Sequence, residues 1–308
     1  MQSAETRSET LKLGTRGSPL ALAQAEMVRA ALAASGHGAE ILPISTTGDR
    51  ITDRPLAEAG GKGLFTKEID TALLSGAIDL AVHSAKDLPT ELPDGIVIAA
   101  CLPRADFRDA FLSPRAPTLA DLPRGAILGT ASLRRGALAL RLRPDLKVVP
   151  MRGNVGTRLG KLAAGEADAT LLAMAGLTRL GISDRATSVL AVDDWLPAPG
   201  QGIVAITARL EDRPTLDLLL GINHAPTTDA LFCERAFLRV LDGSCRTPIG
   251  GLAELDGDRI RFRGIIVKPD GSEAHSIEET GSTRDPVALG AGAGNALVRR
   301  GGSGFFTD

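Results

Sequence analysis

Aromatic side chains are scarce in this chain: they make up 3% of 308 residues, with one tryptophan and no tyrosine. Proteins that grip single-stranded nucleic acid stack bases on aromatic faces, and this sequence has few to offer. A surplus of positive charge is missing too. The 35 basic and 37 acidic residues leave a net charge of −2, so any strong positive field must be local. A local field favours a selected small anion over non-specific nucleic acid. Cysteine is sparse: Cys101, Cys233 and Cys245 form an odd, widely separated set without metal-ligand spacing. That set fits a reducing, cytoplasmic setting and no metal site. No apolar run approaches the ~18 residues needed to span a bilayer, so no membrane partner is expected. Residues 1–10 are polar, lack an apolar h-region, and read as a disordered tail and not a signal peptide.

What the chain does have is apolar bulk and clustered arginine. A 44% hydrophobic content is ample for a sizeable core, and length alone suggests about two domains. Two turns, Gly129-Thr-Ala-Ser-Leu-Arg-Arg135 and Met151-Arg-Gly-Asn-Val-Gly-Thr-Arg158, each follow a short apolar run and lead into a helical pattern. A helix start presents unpaired N–H groups and the positive end of the macrodipole. Ser132 and Asn154 are good N-cap types at these two starts. Arg134, Arg135, Arg152 and Arg158 then complete a site for something strongly anionic. A single arginine is ordinarily an exposed solubilising charge, but four at two adjacent helix starts ask for a ligand.

Along the chain, a strand over 11–15 precedes Ser18-Pro19, an N-cap followed by proline at the first helical position. Apolar residues recur at Leu20, Ala23, Met27, Ala31 and Ala34 until Gly36 stops the helix. Strands are expected over 39–45, 79–82 and 95–102, with a helix over 66–74. Beyond a loop marked by Pro114, Pro117 and Pro123, a second unit reads as strand 126–130, helix 133–142, strand 147–150, helix 155–164 and strand 169–173. This alternation predicts α/β architecture with largely parallel sheets. Leu196-Pro-Ala-Pro-Gly-Gln-Gly202 punctuates the chain before an apolar strand over 203–208. A smaller α+β unit follows: helix 228–241, strand 259–267 turning at Pro269-Asp270-Gly271, strand 274–278 and a helix near 286–298. No internal repeat recurs at a fixed period.

Gly60-Gly-Lys-Gly-Leu-Phe65 fails the Walker pattern, with Leu56 where glycine is needed and Gly63 where Ser or Thr belongs. Residues 290–295 miss the dinucleotide fingerprint at Asn295, so nucleotide binding is poorly supported. The stretch 46–63 instead suits a mobile lid carrying Lys62. His83-Ser-Ala-Lys-Asp-Leu-Pro89 puts Lys86 and Asp87 at a strand's C-terminal end, where an α/β sheet presents its ligand chemistry. Taken alone, such a pair is ordinarily a solvated ion pair, and His83 a hydrogen-bonded structural residue. Cys245 lies in the polar loop Leu241-Asp-Gly-Ser-Cys-Arg-Thr-Pro-Ile-Gly-Gly251, beside Arg246, a setting that favours a reactive thiolate. A lone cysteine is otherwise a small buried hydrophobe, the reading kept for Cys101 and Cys233.

Taken together, several segments resemble the porphobilinogen deaminase (hydroxymethylbilane synthase) family. They are Thr15-Arg-Gly-Ser-Pro-Leu-Ala-Leu, Thr47-Gly-Asp49, 60–65, 83–89, 129–135, 152–158, 172–181, Pro199-Gly-Gln-Gly202 and the Cys245 loop. They cover residues 11 to about 251 in the family's order. The resemblance implies an α/β fold of two doubly wound, periplasmic-binding-protein-like domains plus a small C-terminal α+β domain. Their limits would be 10–104 with 201–222, 105–200, and 223–308, the last carrying the cofactor cysteine. It implies a transferase of tetrapyrrole biosynthesis that condenses four porphobilinogen molecules head to tail, releasing ammonia, to give hydroxymethylbilane. The chain would grow on a dipyrromethane cofactor held through a thioether to Cys245.

By the same resemblance Asp87 is catalytic. Cys245, Lys86, Ser84, Thr130, Ser132, Arg134, Arg135, Arg158 and Asp49 would hold the cofactor. Arg16, Ser18, Lys62, Arg152, Asn154, Arg179 and Gln201 would hold substrate, and the enzyme would work as a monomer whose only partners are porphobilinogen and the growing oligopyrrole. The chemistry agrees: each porphobilinogen ring carries an acetate and a propionate, so the product chain is a polyanion suited to bidentate arginine. Asp87 is the acid that would face pyrrole N–H groups and stabilise a developing cation, with Lys86 helping to keep it ionised. Two rivals remain. A non-catalytic anion-binding protein leaves the Cys245 loop unused and expects an export signal. A DNA- or RNA-binding regulator is opposed by the net charge and the missing helix-turn-helix signal.

Overall fold

A computed structural model describes residues 10–50, 66–241, 247–302 and 305, without the side chains of residues 49 and 50. The first elements are β1 (Leu11–Arg16), α1 (Pro19–Ala34), β2 (Ala39–Ile44), α2 (Thr47–Arg50), α3 (Lys67–Leu74), β3 (Leu80–Ser84) and β4 (Ile96–Cys101). Next come β5 (Asp109–Leu112), β6 (Ile127–Gly129), α4 (Leu133–Leu142), β7 (Lys147–Val149), α5 (Val155–Ala163), β8 (Ala169–Ala173), α6 (Met174–Arg179) and β9 (Ser188–Val189). The chain continues through β10 (Val204–Arg209) and α7 (Arg213–Leu220) into α8 (Ala225–Val240), β11 (Ile249–Asp256), β12 (Arg259–Val267), β13 (Ala274–Ser282) and α9 (Pro286–Gly301).

Two five-stranded sheets share one plan. The first has the order β2-β1-β3-β10-β4 and the second β7-β6-β8-β5-β9. In each, three strands pair in parallel and the fourth position is filled by an antiparallel strand, β10 or β5. The expected largely parallel sheets are therefore mixed. The reason is connectivity: the chain crosses from the first sheet to begin the second with β5, and crosses back to close the first with β10. The third sheet is an antiparallel meander, β11-β12-β13, covered by α8 and α9 around Phe237, Phe262 and Leu297.

Local chemistry accounts for most helix starts. Ser18 Oγ accepts from Ala21 N–H at 3.3 Å ahead of Pro19, and Asp212, His224 and Asp285 cap α7, α8 and α9 with proline in the first turn. The buried face of α1 differs from the expected stripe. It is Gln24, Ala25, Val28 and Leu32, while Met27 is exposed. In a helix so rich in alanine the apolar period has no sharp phase, and packing against Leu13, Leu80 and Val204 of the sheet decides which side turns in.

The two crossings touch each other. Gly202, at φ 87°, accepts from Ala105 N–H at 3.1 Å, and a Cβ there would fall 2.6 Å from the Ala105 carbonyl oxygen. Glu234 of α8 locks this joint to the third unit. Its fully buried carboxylate accepts from Arg104 Nη1 at 2.6 Å, Gly200 N–H at 2.5 Å and Ala253 N–H at 2.7 Å. Removing one partner of a buried ion pair strands the other charge and costs about 3–5 kcal/mol. Glu234→Ala should accordingly lower the urea midpoint of unfolding, and a midpoint equal to that of the native chain would contradict this role.

A candidate anion-binding cleft

The site grows from the C-terminal ends of β3, β6 and β8. At β3 the expected strand end moves two residues, because His83 and Ser84 pair with Ala205 and Val204 of β10 and extend the strand. His83 Nε2 lies 3.1 Å from Thr207 Oγ1. Burial, with Arg16 adding to it, pulls the imidazole down to about 4, so His83 is neutral near pH 7 and serves as a structural group. Ser84 Oγ is held by the Gln24 side chain at 2.9 and 3.1 Å. A 3₁₀ turn, Ala85–Asp87, then carries Lys86 and Asp87. Arg16, Ser18, Gln24, His83, Ser84 and Asp87 line a small pocket there. Asp87 is exposed, and among the described residues its carboxylate has no hydrogen-bonding or ion-pair partner.

Lys86 turns inward, donating from Nζ to Gln201 Oε1 at 3.2 Å. Burial and then Arg135 pull its ammonium down, Asp87 and Asp109 oppose them, Arg134 adds to the pull, and the balance is about 8. Gln201 is itself buried and donates to Phe107 O and to Asp109, each at 2.8 Å.

On the second sheet, Thr130 Oγ1 accepts from Ser132 N–H at 3.2 Å, and Ser132 caps α4 through Arg135 N–H at 3.4 Å. Arg134 and Arg135 do not stand open at that helix start. They are 4% and 5% exposed. Arg134 donates to Leu196 O and Asp109 at 2.8 Å each, and Arg135 to Leu171 O at 2.9 Å and Asp109 at 2.7 Å. The antiparallel entry of β5 is responsible, since it sets Asp109 opposite Ala173, the last residue of β8. Burial alone would raise the Asp109 carboxyl, but the two arginines hold it far below the usual carboxylate range. Asp109 is the principal site residue that the sequence reading missed. Nothing in Phe107-Arg-Asp-Ala-Phe111 marks it; only sheet topology does.

The second arginine turn is more open. Asn154 is exposed and caps α5, accepting from Thr157 N–H at 2.9 Å. Half-buried Arg158 donates from Nε to Gly153 O at 2.9 Å. Burial, Arg135 and Arg152 draw its guanidinium down to about 10, while Asp87 opposes them. Arg158, Arg135, Arg152 and Asp87 therefore share one electrostatic field. Arg179 donates from Nη2 to Gly202 O at 2.6 Å, at the crossing. Lys62, Cys245 and the Asp49 side chain, with most of the expected lid, lie outside the described residues.

Among the described residues the Nε–H groups of Arg134, Arg135 and Arg179, and away from the cleft that of Arg263, are buried without an acceptor. A buried unpaired donor is costly, and three on guanidiniums around one cleft fit a ligand that brings carboxylates. Two α/β sheets thus meet over buried cations and one open carboxylate, an arrangement suited to a polyanionic ligand. Comparison with known proteins narrows the class. "Porphobilinogen deaminase, dipyromethane cofactor binding domain" matches residues 11–217, and "Porphobilinogen deaminase, C-terminal domain" matches 228–299. Porphobilinogen deaminases of Nitrobacter hamburgensis and Nitrobacter winogradskyi are 57% and 55% identical over 311 aligned positions, covering 100% of this chain and 98% of each relative. Among solved structures, an ABC transporter periplasmic substrate-binding protein from Coxiella burnetii is similar at 17% identity and a TM-score of 0.45, over 71% of this chain and 93% of that one. The chain belongs to the porphobilinogen deaminase family. The family's activity, assembly of a linear tetrapyrrole from porphobilinogen, and its dipyrromethane cofactor come with that membership.

Proposed function

We propose that this cleft condenses four porphobilinogen molecules head to tail into hydroxymethylbilane, with Asp87 as the catalytic residue. The supporting observation is the Asp87 carboxylate: it is exposed, unpaired among the described residues, and set in the field of Lys86 and Arg158. Loss of ammonia from porphobilinogen leaves a cationic methylene-pyrrolenine, and a fixed anion beside it stabilises that charge as it develops. The same carboxylate accepts from pyrrole N–H and takes up the proton released when the new bond forms.

Dipyrromethane, when bound through Cys245, supplies the nucleophilic carbon on which the chain is built. Ser84, Lys86, Thr130, Ser132, Arg134, Arg135, Arg158 and Asp49 are the residues we assign to its carboxylates and pyrrole nitrogens. Arg16, Ser18, Lys62, Arg152, Asn154, Arg179 and Gln201 are assigned to incoming substrate. We place the domain limits at 10–104 with 201–222, 105–200 and 223–308. No helix among the described residues is long and apolar enough to cross a membrane; we assign a cytoplasmic monomer with no nucleic-acid or membrane partner.

Purified protein supplied with porphobilinogen should release ammonia and form the tetrapyrrole, and the proposal fails if neither product appears. The arginines give a finer test. A charged hydrogen bond nets about 1.5–3 kcal/mol, so one lost clamp should cost roughly ten- to hundredfold in affinity or rate. Arg134→Leu and Arg135→Leu should impair cofactor assembly, whereas Arg16→Leu and Arg152→Leu should stall later elongation. Mass spectra of the intact chains separate these stages, and unchanged spectra and kinetics in all four variants would contradict the assignment.

A further inference from the structure

One buried carboxylate organises four side chains from three segments of the chain. Asp109 has no exposed surface. Its Oδ1 accepts from Arg135 Nη2 at 2.7 Å and Gln201 Nε2 at 2.8 Å. Its Oδ2 accepts from Arg134 Nη2 and Trp195 Nε1, each at 2.8 Å. Two donors on each oxygen satisfy the carboxylate in full. Gln201 passes the link on, since its Oε1 receives Lys86 Nζ. A single network thus joins the turn after β3, the first turn of α4 and the return crossing.

Such a network is poorly explained by stability alone. Desolvation offsets the attraction in buried ion pairs, and here two guanidiniums share one carboxylate, leaving a cationic excess inside the protein. The Nε–H groups of both arginines, unpaired among the described residues, add to the demand for an anion. Held rigidly, the same groups are useful: donors fixed in place before the ligand arrives lose little freedom on binding.

Building on the assignment of Arg134, Arg135 and Lys86 to pyrrole carboxylates, we propose that Asp109 is their positioning residue. It fixes the two guanidiniums directly and the Lys86 ammonium through Gln201, at a set spacing before the anionic chain enters. Asp109 also helps to keep Lys86 charged, together with Asp87 and against Arg134 and Arg135. Removing the Asp109 charge therefore lets Lys86 lose its proton at lower pH.

The test compares Asp109→Asn with Trp195→Phe, which deletes one donor and leaves both arginine pairs. Two quantities are read: the fraction of purified chain carrying the two-pyrrole mass, and the pH dependence of ammonia release. Asp109→Asn, with native circular dichroism, should load at least about tenfold less, as expected for misplaced charged contacts. In its loaded remainder the alkaline limb of ammonia release should move to lower pH. Trp195→Phe should load within about twofold of native, since it leaves both arginine pairs and the Gln201 arm in place, and its alkaline limb should stay in place even if it melts earlier. Native loading in Asp109→Asn overturns the proposal, as does loss of loading in both variants in proportion to lost melting temperature. If Asp109→Asn does not fold, Gln201→Met decides, because it removes the arm to Lys86, together with the bond to Phe107 O, and leaves both arginine pairs on Asp109: reduced loading with native circular dichroism supports the role, and native loading overturns it. Full loading of Arg134→Leu and Arg135→Leu would sink the underlying carboxylate assignment instead.

Discussion

Asp87→Ala is expected to abolish tetrapyrrole formation in a chain that still folds and still carries its pyrrole mass. Both halves follow from where the side chain sits. Asp87 is exposed at the end of the 3₁₀ turn Ala85–Asp87 and makes no hydrogen bond or ion pair with the described residues. Its removal strands no buried partner, so the stability change should stay within about 0.5 kcal/mol. The chemistry has no such tolerance. Elimination of ammonia and attack by the next ring both pass through a cationic pyrrole, and one preorganised group at a developing charge is worth about 10²–10³ in rate. Asp87→Glu keeps the charge but displaces it by one methylene, which should leave activity lower by on the order of a hundredfold. Ammonia release is measured on variants shown to be folded by circular dichroism. If the Asp87→Ala chain, loaded with cofactor, turns over at the native rate, the role belongs to another acid, with Asp49 the next to examine.

Cys245→Ser should give a soluble chain that lacks the pyrrole mass altogether. The two other cysteines are disqualified by their surroundings. Cys101 and Cys233 are wholly buried. Burial raises the Cys101 thiol to about 11 and the Cys233 thiol to about 12, with Glu234 adding to the latter. Since the thiolate is the nucleophile, neither is available near neutral pH, and both pack within hydrophobic core clusters. Cys245, in the polar sequence Asp242-Gly-Ser-Cys-Arg246, is the cysteine we propose for the thioether. Cys101→Ser and Cys233→Ser should load normally. A Cys245→Ser chain that keeps the mass, with loss in either of the other two, would move the attachment site.

Much of this was legible because it is local. Ser132 and Asn154 cap the helices expected of them, and Leu133–Leu142, Ala169–Ala173 and Arg259–Val267 form as read. Capping and periodicity depend on residues within a turn of one another, which one sequence displays. What escaped was short or non-local. The strand Asp109–Leu112 has four residues, all buried, and so no alternation to betray it. Ile249–Asp256 carries Gly250 and Gly251, which weaken a strand signal; Met174–Arg179 is a helix of six residues. The costliest omission was Asp109, whose importance exists only once an antiparallel strand carries it to the C-terminal edge of β8. Its four partners lie 25 to 92 positions away in sequence. The same fact altered the picture of Arg134 and Arg135, expected as open clamps at a helix start and found buried against an internal anion.

A chain-bound oligopyrrole is what separates this enzyme from a protein that only binds anions, and the intact mass of the purified native chain tests that difference most directly. The expected spectrum shows an excess equal to two linked pyrrole units, with a colour reaction to acidic dimethylaminobenzaldehyde and further pyrrole increments after brief exposure to porphobilinogen. A native chain at its bare sequence mass, colourless with the reagent and unchanged by porphobilinogen, would contradict the covalent assembly of a tetrapyrrole in this cleft.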